Sequence, residues 1–321
     1  MDWFGTGGNG PLIAVRAIHF AATALMAGSL VFRSLVMKPV SRFDPAAARS
    51  VGTQTLHLAW IGLAITLLSG AIWLLLQAVS MSGLPFAEAM TPDVLSTVLS
   101  QTPFGMVADI RFALAIVLAA CLACHRSALA DAFALAAALG VSAAIAWTGH
   151  AGATLGEGGN LHLVADTMHL VAASAWIGGL VPLVLLLAAA GRRPEVASAA
   201  LAHAAAQRFS TLGIVSVATL SATGIVNAWI LVGSFHALVV TGYGRLLILK
   251  LVAFAIMLVF AAVNRFGLTP RLAAPAGNDA RLDALHKLTR NSGIEIALGF
   301  VIFVMVGMLG TLHPAVHLVV R

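Results

Sequence analysis

The chain has 321 residues, of which 60% are hydrophobic and only 9% are charged, and its formal net charge is +6. A soluble domain carries about 25% charged residues, so this composition excludes a soluble globular protein. In a membrane protein a basic excess reports topology. We therefore expect the lipid bilayer as the surrounding surface and no nucleic acid as a partner.

Eight apolar segments are long enough to cross a membrane, since a transmembrane helix needs about 20 apolar residues. They predict an all-α polytopic membrane protein. The N-terminus has neither the basic region nor the small-residue cleavage site of a signal peptide, so the first segment is expected to be a retained span. The predicted spans are 12–36, 55–78, 107–124, 129–148, 163–190, 211–233, 245–264 and 293–312.

Lysine and arginine alternate between the connections. The connections after the first, fifth and seventh spans are basic, whereas residues 79–106, 149–162 and 234–244 contain no lysine or arginine. Because basic connections stay in the cytoplasm, this bias predicts that both termini face outwards. In a bacterium that side is the periplasm, and the membrane is the inner (plasma) membrane.

The chain also repeats itself. Alignment of the sequence around His19 with the sequence around His169 predicts two four-helix halves, residues 1–148 and 149–321. Four is an even number, so both halves insert in the same direction, as a parallel repeat about an axis along the membrane normal. The other aligned positions are Gly28 with Gly178, Ser69-Gly70 with Thr223-Gly224, Thr102 to Gly105 with Thr241 to Gly244, Arg111 with Lys250, and His150 with His313.

His19 and His169 occupy equivalent depths in apolar spans. At 1.5 Å per helical residue they lie about 12 Å and about 10 Å from the outer ends of their helices. An imidazole in hydrocarbon is costly, so an intramembrane histidine indicates a functional site, although a lone helical histidine is often only hydrogen-bonded to a carbonyl. Two level histidines predict a shared metal or cofactor site between the halves.

More histidines gather near the outer surface. His150 and His313 lie at the outer ends of the fourth and eighth spans, and His162 lies close to the same surface. Imidazole suits copper, zinc, iron and nickel, and the lack of acidic clusters favours a softer transition metal. The predicted metal ligands are His19, His169, His150 and His313.

Charged residues accompany the two intramembrane histidines. Arg16 precedes His19 by three residues and Asp166 precedes His169 by three, which puts each charge on its histidine's helical face. Asp166 is a candidate to accept a hydrogen bond from the His169 ring and fix its tautomer, or to pair with Arg16 or Lys250. Methionine adds a soft ligand that is also an ordinary core residue. The accessory candidates are Asp166, Arg16, His162, Met168 and Lys250.

Two further patterns bear on chemistry. Cys121-Leu-Ala-Cys124-His125 matches a haem c attachment motif, but its predicted cytoplasmic position argues against that role. The alternatives are a site for a thiophilic metal or two small helix residues. A phosphate-binding loop, a nucleophile–base triad and paired catalytic carboxylates are all missing from the sequence, so we do not expect an enzyme.

Several blocks of the second half resemble the CopD/PcoD copper-resistance membrane proteins, and the first half does so more loosely. The resemblance implies an inner-membrane protein of copper uptake, homeostasis and resistance. It also implies a separate periplasmic CopC-like copper carrier as a partner. The blocks are Gly149-His-Ala151, Asp166-Thr-Met-His169 to Trp176-Ile-Gly-Gly179-Leu180, Arg208-Phe-Ser210, Thr223-Gly224 with Asn227-Ala-Trp229, Thr241-Gly-Tyr-Gly244 with Lys250, and Asn264-Arg265.

A redox protein is the alternative to a copper protein. Two level histidines on facing helices are able to ligate haem b axially, as in four-helix b-type membrane cytochromes. Arg16, Arg111 or Lys250 would then meet the haem propionates. Such a protein would act in electron transfer or in copper redox chemistry.

Overall fold

The computed structural model describes residues 10–124, 127–192, 196–273 and 278–318. These residues form helices and turns without any strand, and eight helices are long and apolar enough to span a membrane. The predicted all-α, eight-span architecture is therefore confirmed. The spanning helices are α1 (Gly10–Val40), α2 (Pro45–Ser82), α3 (Pro103–Ala123), α4 (Ala128–Thr148), α5 (Gly158–Arg192), α6 (Ala197–Val232), α7 (Gly242–Leu272) and α8 (Asp279–Leu309).

The connections lie at two opposite ends of the bundle. We call the end with residues 83–102, 149–157, 233–241 and 310–318 the outer end, in keeping with the predicted topology, and the opposite, basic end the inner end. Short helices cover part of the outer end. They are Phe86–Ala89, Pro92–Gln101, His150–Ala153 and Phe235–Val240.

The third helix of each predicted half begins in the same way. The Thr102 hydroxyl accepts from the Gly105 N–H at the start of α3, and the Thr241 hydroxyl accepts from the Gly244 N–H at the start of α7, both at 3.0 Å. Each cap satisfies one of the backbone donors left free at a helix start. The two aligned sequence blocks therefore have the same local geometry.

Several helices extend beyond their predicted spans at the inner end. The second, sixth and eighth predicted spans begin at residues 55, 211 and 293. The corresponding helices α2, α6 and α8 begin earlier, at Pro45, Ala197 and Asp279. A helix satisfies its own backbone hydrogen bonds in water as well as in lipid, so its end does not have to coincide with the edge of the hydrocarbon. Apolar content identified the eight spans and underestimated the length of several helices.

Charged contacts connect helices at the inner end. Lys38 Nζ lies 2.6 Å from Asp131 Oδ2, which joins the end of α1 to the start of α4. The Ser198 hydroxyl donates to Asp44 Oδ2 at 2.9 Å, which joins α6 to the α1–α2 connection. Exposed ion pairs contribute about 0–1 kcal/mol each, so they orient the connections more than they stabilise the bundle.

Helices α1 and α5 form the centre of the bundle and cross at two glycines. A Cβ added to Gly28 would overlap the backbone of Gly178 and Ser174, and a Cβ added to Gly178 would overlap the Ala24 carbonyl. Small residues allow transmembrane helices to approach this closely. Ser174–Gly178 forms a π-helical turn at the crossing. The two glycines are aligned by the repeat, and they bring the first helices of both halves into backbone contact.

We expect Gly28→Ala to destabilise the protein, because its Cβ must push α1 and α5 apart. Overpacking of this kind costs about 1–3 kcal/mol. The control is Gly293→Ala in α8, where a Cβ meets no atom within 4 Å. Thermal unfolding in detergent measures the difference. Equal melting temperatures for the two variants would contradict the glycine crossing.

Candidate functional site

The ring of His19 is held by helices of the first half. Its Nδ1 lies 2.9 Å from the Ser69 hydroxyl in α2. That hydroxyl donates to the Ile65 carbonyl at 2.6 Å, so it accepts the Nδ1–H and leaves the Nε2 lone pair for another donor. Arg111 Nη2 of α3 contacts this Nε2. Both ring nitrogens of the almost fully buried His19 therefore have partners within the first half.

The ring of His169 is held in the same manner by the second half. Its Nδ1 lies 3.0 Å from the Thr223 hydroxyl in α6. That hydroxyl donates to the Thr219 carbonyl at 2.6 Å, so it accepts the Nδ1–H. Nε2 keeps its lone pair, and the Lys250 ammonium of α7 is within electrostatic range of the ring. This nitrogen is the one available to a metal ion.

A glycine beside each hydroxyl makes room for the imidazole. A Cβ on Gly70 would lie 3.3 Å from the His19 Cε1, and a Cβ on Gly224 would lie 3.7 Å from the His169 Cε1. The sequence aligned these Ser-Gly and Thr-Gly pairs, but we did not connect them with the histidines. Their similar spacing, 50 residues from His19 to Ser69 and 54 residues from His169 to Thr223, is the sequence signal that could have made this connection.

The side chains that contact His19 and His169 come from different helices, and a shared metal or cofactor site stays a prediction. The His19 ring points to α2 and α3, and the His169 ring points to α6. Among the residues that the structure describes, no group of three or more histidine, cysteine, aspartate or glutamate side chains is placed to hold a metal ion. The haem b alternative stays a prediction, and the His19 Nε2 contacts Arg111.

Asp166 does not have the partner expected of it. The Asn227 amide of α6 donates to Asp166 Oδ1 at 3.1 Å, whereas the His169 Nδ1–H goes to the Thr223 hydroxyl. The carboxylate lies within electrostatic range of Lys250, which agrees with the alternative pairing. Met168 is 50% exposed on the side of the bundle, because neighbouring helical residues point about 100° apart.

Arg16 and Arg111 flank a tryptophan that sequence reasoning had overlooked. The Trp73 ring is fully buried and lies edge-on to His19, with 5.3 Å between ring centroids. The Arg16 and Arg111 guanidinium carbons lie 5.0 Å and 5.9 Å from the Trp73 ring centroid. Arg16 also donates to the Gly310 carbonyl at 3.2 Å, which links α1 to the outer end of α8. Cation–π contacts favour charged guanidinium groups at these positions.

His150 and His162 are connected at the outer end. His150 Nε2 lies 3.3 Å from the Leu309 carbonyl, so it carries the hydrogen, and its Nδ1 keeps a lone pair. The Thr154 hydroxyl donates to the His150 carbonyl at 2.9 Å. It therefore accepts from His162 Nδ1 at 2.8 Å, which leaves the His162 Nε2 lone pair free. The Tyr243 ring lies edge-on to His150 at 6.1 Å.

The surroundings of His150 favour the neutral form of its ring. Burial is the main cause that lowers the pKa of His150. Electrostatic interactions with Arg16 and with two exposed histidines, His313 and His317, lower this pKa further. The hydrogen bond to the Leu309 carbonyl acts in the opposite direction. His162 is in turn within electrostatic range of His150. A neutral imidazole is the form that binds metals. We call His150, His162, His313 and His317 the outer histidine cluster.

The cysteine pair lies at the opposite end of the molecule. Cys121 is half-buried and Cys124 is exposed at the inner end of α3, and both thiols are free. His125, the last residue of the motif, lies outside the described residues. The role of this pair stays a prediction.

Comparison with known proteins agrees with the architecture of a multi-pass membrane protein. Residues 203–309 match the family model described as copper resistance protein D. Residues 8–160 match the model described as copper resistance protein D-like, N-terminal domain. The chain belongs to the copper resistance protein D family.

Two relatives match nearly the whole chain, and a third matches about three quarters of it. It is 31% identical to inner membrane protein YebZ of Escherichia coli (strain K12) over 306 residues, which are 94% of this chain and 98% of that protein. It is 29% identical to copper resistance protein D of Pseudomonas syringae pv. tomato over 318 residues, 94% and 96% of the two chains. It is 30% identical to copper transport protein CutJ of Bacillus subtilis (strain 168) over 257 residues, which are 78% of this chain but only 45% of that protein.

No solved structure matches the chain. The family and these relatives support a multi-pass inner-membrane protein with a copper-related function.

The hydrogen bond between the Thr223 hydroxyl and the His169 ring can be tested directly. We expect Thr223→Val to lower stability by about 1–3 kcal/mol, because it leaves the Nδ1–H of a buried imidazole without an acceptor. The control is Thr219→Val one turn away, whose hydroxyl bonds only within α6. Thermal unfolding compares them. If both variants melt at the same temperature, the hydroxyl does not hold the ring.

Proposed function

We propose that this protein takes up copper at the periplasmic side of the inner membrane and serves copper homeostasis and resistance. The observation that carries the proposal is the free lone pair on each of the His150 and His162 rings, where Thr154 joins the His162 ring to the His150 backbone carbonyl. Two neutral imidazoles with fixed tautomers are suitable first ligands for an arriving ion. His313 and His317 are exposed within electrostatic range of His150, and we propose that they are the first to meet an arriving ion.

Copper is the ion that best suits these ligands and this family. Neutral imidazole binds copper well, and the cluster offers no carboxylates that would favour hard cations. Two of the relatives carry copper transport or copper resistance in their names. Copper is the cargo in this proposal, and we expect no catalytic reaction.

His169 is the better of the two buried histidines for holding copper inside the bundle. Its Nε2 is free, and Asp166 in the preceding turn balances the charge of Lys250. The His19 Nε2 is instead in contact with Arg111, and Arg16 adds a second positive charge nearby. A cation is repelled by that arrangement, so we assign a structural role to His19. This assignment revises our prediction of His19 as a ligand.

A soluble copper donor fits the outer end. The side chains of His313 and His317 are exposed there, within reach of a protein that approaches from the periplasm. We propose a CopC-like copper carrier as this donor. Ligand exchange between its copper site and the outer histidine cluster would transfer the ion without releasing it to solution.

We expect His150→Ala to weaken copper binding about tenfold or more, since the loss of one ligand worth about 1.4 kcal/mol changes the affinity tenfold. His236→Ala is the matched control, because His236 is an exposed histidine in the outer helix Phe235–Val240. Competition titration of the purified protein with a copper chelator measures both affinities.

The same titration has a defined pH dependence. Because the pKa of His150 is lowered from its ordinary 6.5, proton competition at this ring should set in only below pH 6.5. Binding that weakens equally in both variants, or that is unchanged in His150→Ala, would refute the assignment of His150 as a ligand.

A further inference from the structure

Two arginines are buried in the first half without a carboxylate beside them. Arg16 is 7% exposed and Arg111 is 9% exposed. Within the described parts of the chain, the ion pairs involve other residues, at the inner end and along α8. A guanidinium stays protonated in proteins, so both charges persist in a medium of low dielectric constant. A buried charge of this kind needs a compensating partner.

Three N–H donors around Trp73 are also left without an acceptor. They are Nε of Arg16, Nε of Arg111 and Nε1 of Trp73, and each is buried. The two guanidinium groups lie within 6 Å of the same indole ring, so the three donors come from α1, α2 and α3 at one place. Buried donors in proteins nearly always have an acceptor. Three orphaned donors together indicate that an acceptor belongs here.

The second half shows what the first half lacks. On the repeat alignment Arg16 corresponds to Asp166, and Arg111 corresponds to Lys250. The second half thus carries a carboxylate and an ammonium within electrostatic range of each other. The first half carries two cations at the equivalent positions. It is short of one negative charge where the second half has its own carboxylate.

We propose that the first half binds a small oxyanion, a carboxylate or phosphate group, between Arg16, Arg111 and Trp73. Guanidinium groups bind oxyanions through charge-assisted, often bidentate, hydrogen bonds, and the indole N–H adds a neutral donor. The anion joins α1, α2 and α3 in place of the missing side-chain acid. It also offsets the positive charge that Arg16 places near His150. Binding of this anion does not depend on copper.

The test is anion-dependent stability of the full chain. Purified protein is exchanged into chloride buffer with neutral detergent, and chloride is then replaced by acetate or inorganic phosphate at constant ionic strength. A ligand that binds only the folded state raises the melting temperature, by about 5 °C near hundredfold saturation. A second arm compares vesicles of phosphatidylcholine with vesicles containing phosphatidylglycerol. A rise confined to the second arm identifies a lipid phosphate as the oxyanion.

Variants separate this site from general salt effects. Arg111→Gln should lose the anion-dependent rise in melting temperature. Arg42→Gln, at an exposed arginine in the connection between α1 and α2, should keep this rise. Arg16→Asp introduces the carboxylate of the second half, so it should fold stably and also lose the rise. This variant keeps the test decisive if the glutamine variant fails to fold. The proposal is overturned if the melting temperature of the wild type does not rise in either arm. It is also overturned if the melting temperatures of the wild type and Arg16→Asp rise equally.

Discussion

A polar group inside this bundle needs a hydrogen-bond partner from the protein or from a bound ligand, because the hydrocarbon offers none. The two buried imidazoles meet this constraint with one device. A hydroxyl on the neighbouring helix donates to a carbonyl of its own preceding turn and accepts the ring's Nδ1–H. The hydroxyl thereby fixes the tautomer, turns the ring and connects two helices. The direction of Nε2, and so the chemistry available to each histidine, follows from this single hydrogen bond.

The same device operates in both halves with different charges around it. In the first half the free ring nitrogen meets Arg111, and a second cation lies nearby. In the second half the free nitrogen is accompanied by an acid and a base. We therefore propose that the first half is suited to an anion and the second half to a metal ion. The outer histidine cluster lies above both and belongs to the side from which we propose that copper arrives.

Sequence alone predicted the features that depend on position along a helix. The eight spans follow from apolar length, and the level positions of His19 and His169 follow from the rise per residue. The rotation of each helix about its axis could not be predicted, because it depends on packing such as the crossing of Gly28 with Gly178. Because of this rotation, the His19 ring contacts side chains of the first half and the His169 ring contacts a side chain of the second half. The rotation also places the Asn227 amide, and not the His169 ring, beside the Asp166 carboxylate. Whether His19 and His169 serve one shared site or two separate sites stays a prediction.

X-ray absorption spectroscopy of the copper-loaded protein tests the central claim most directly. Imidazole rings bound to copper produce a characteristic outer-shell scattering pattern that sulfur ligands and water lack. Our account predicts at least two imidazoles bound to copper, supplied by the outer histidine cluster. A copper shell made of sulfur alone, with no imidazole scattering, would contradict it.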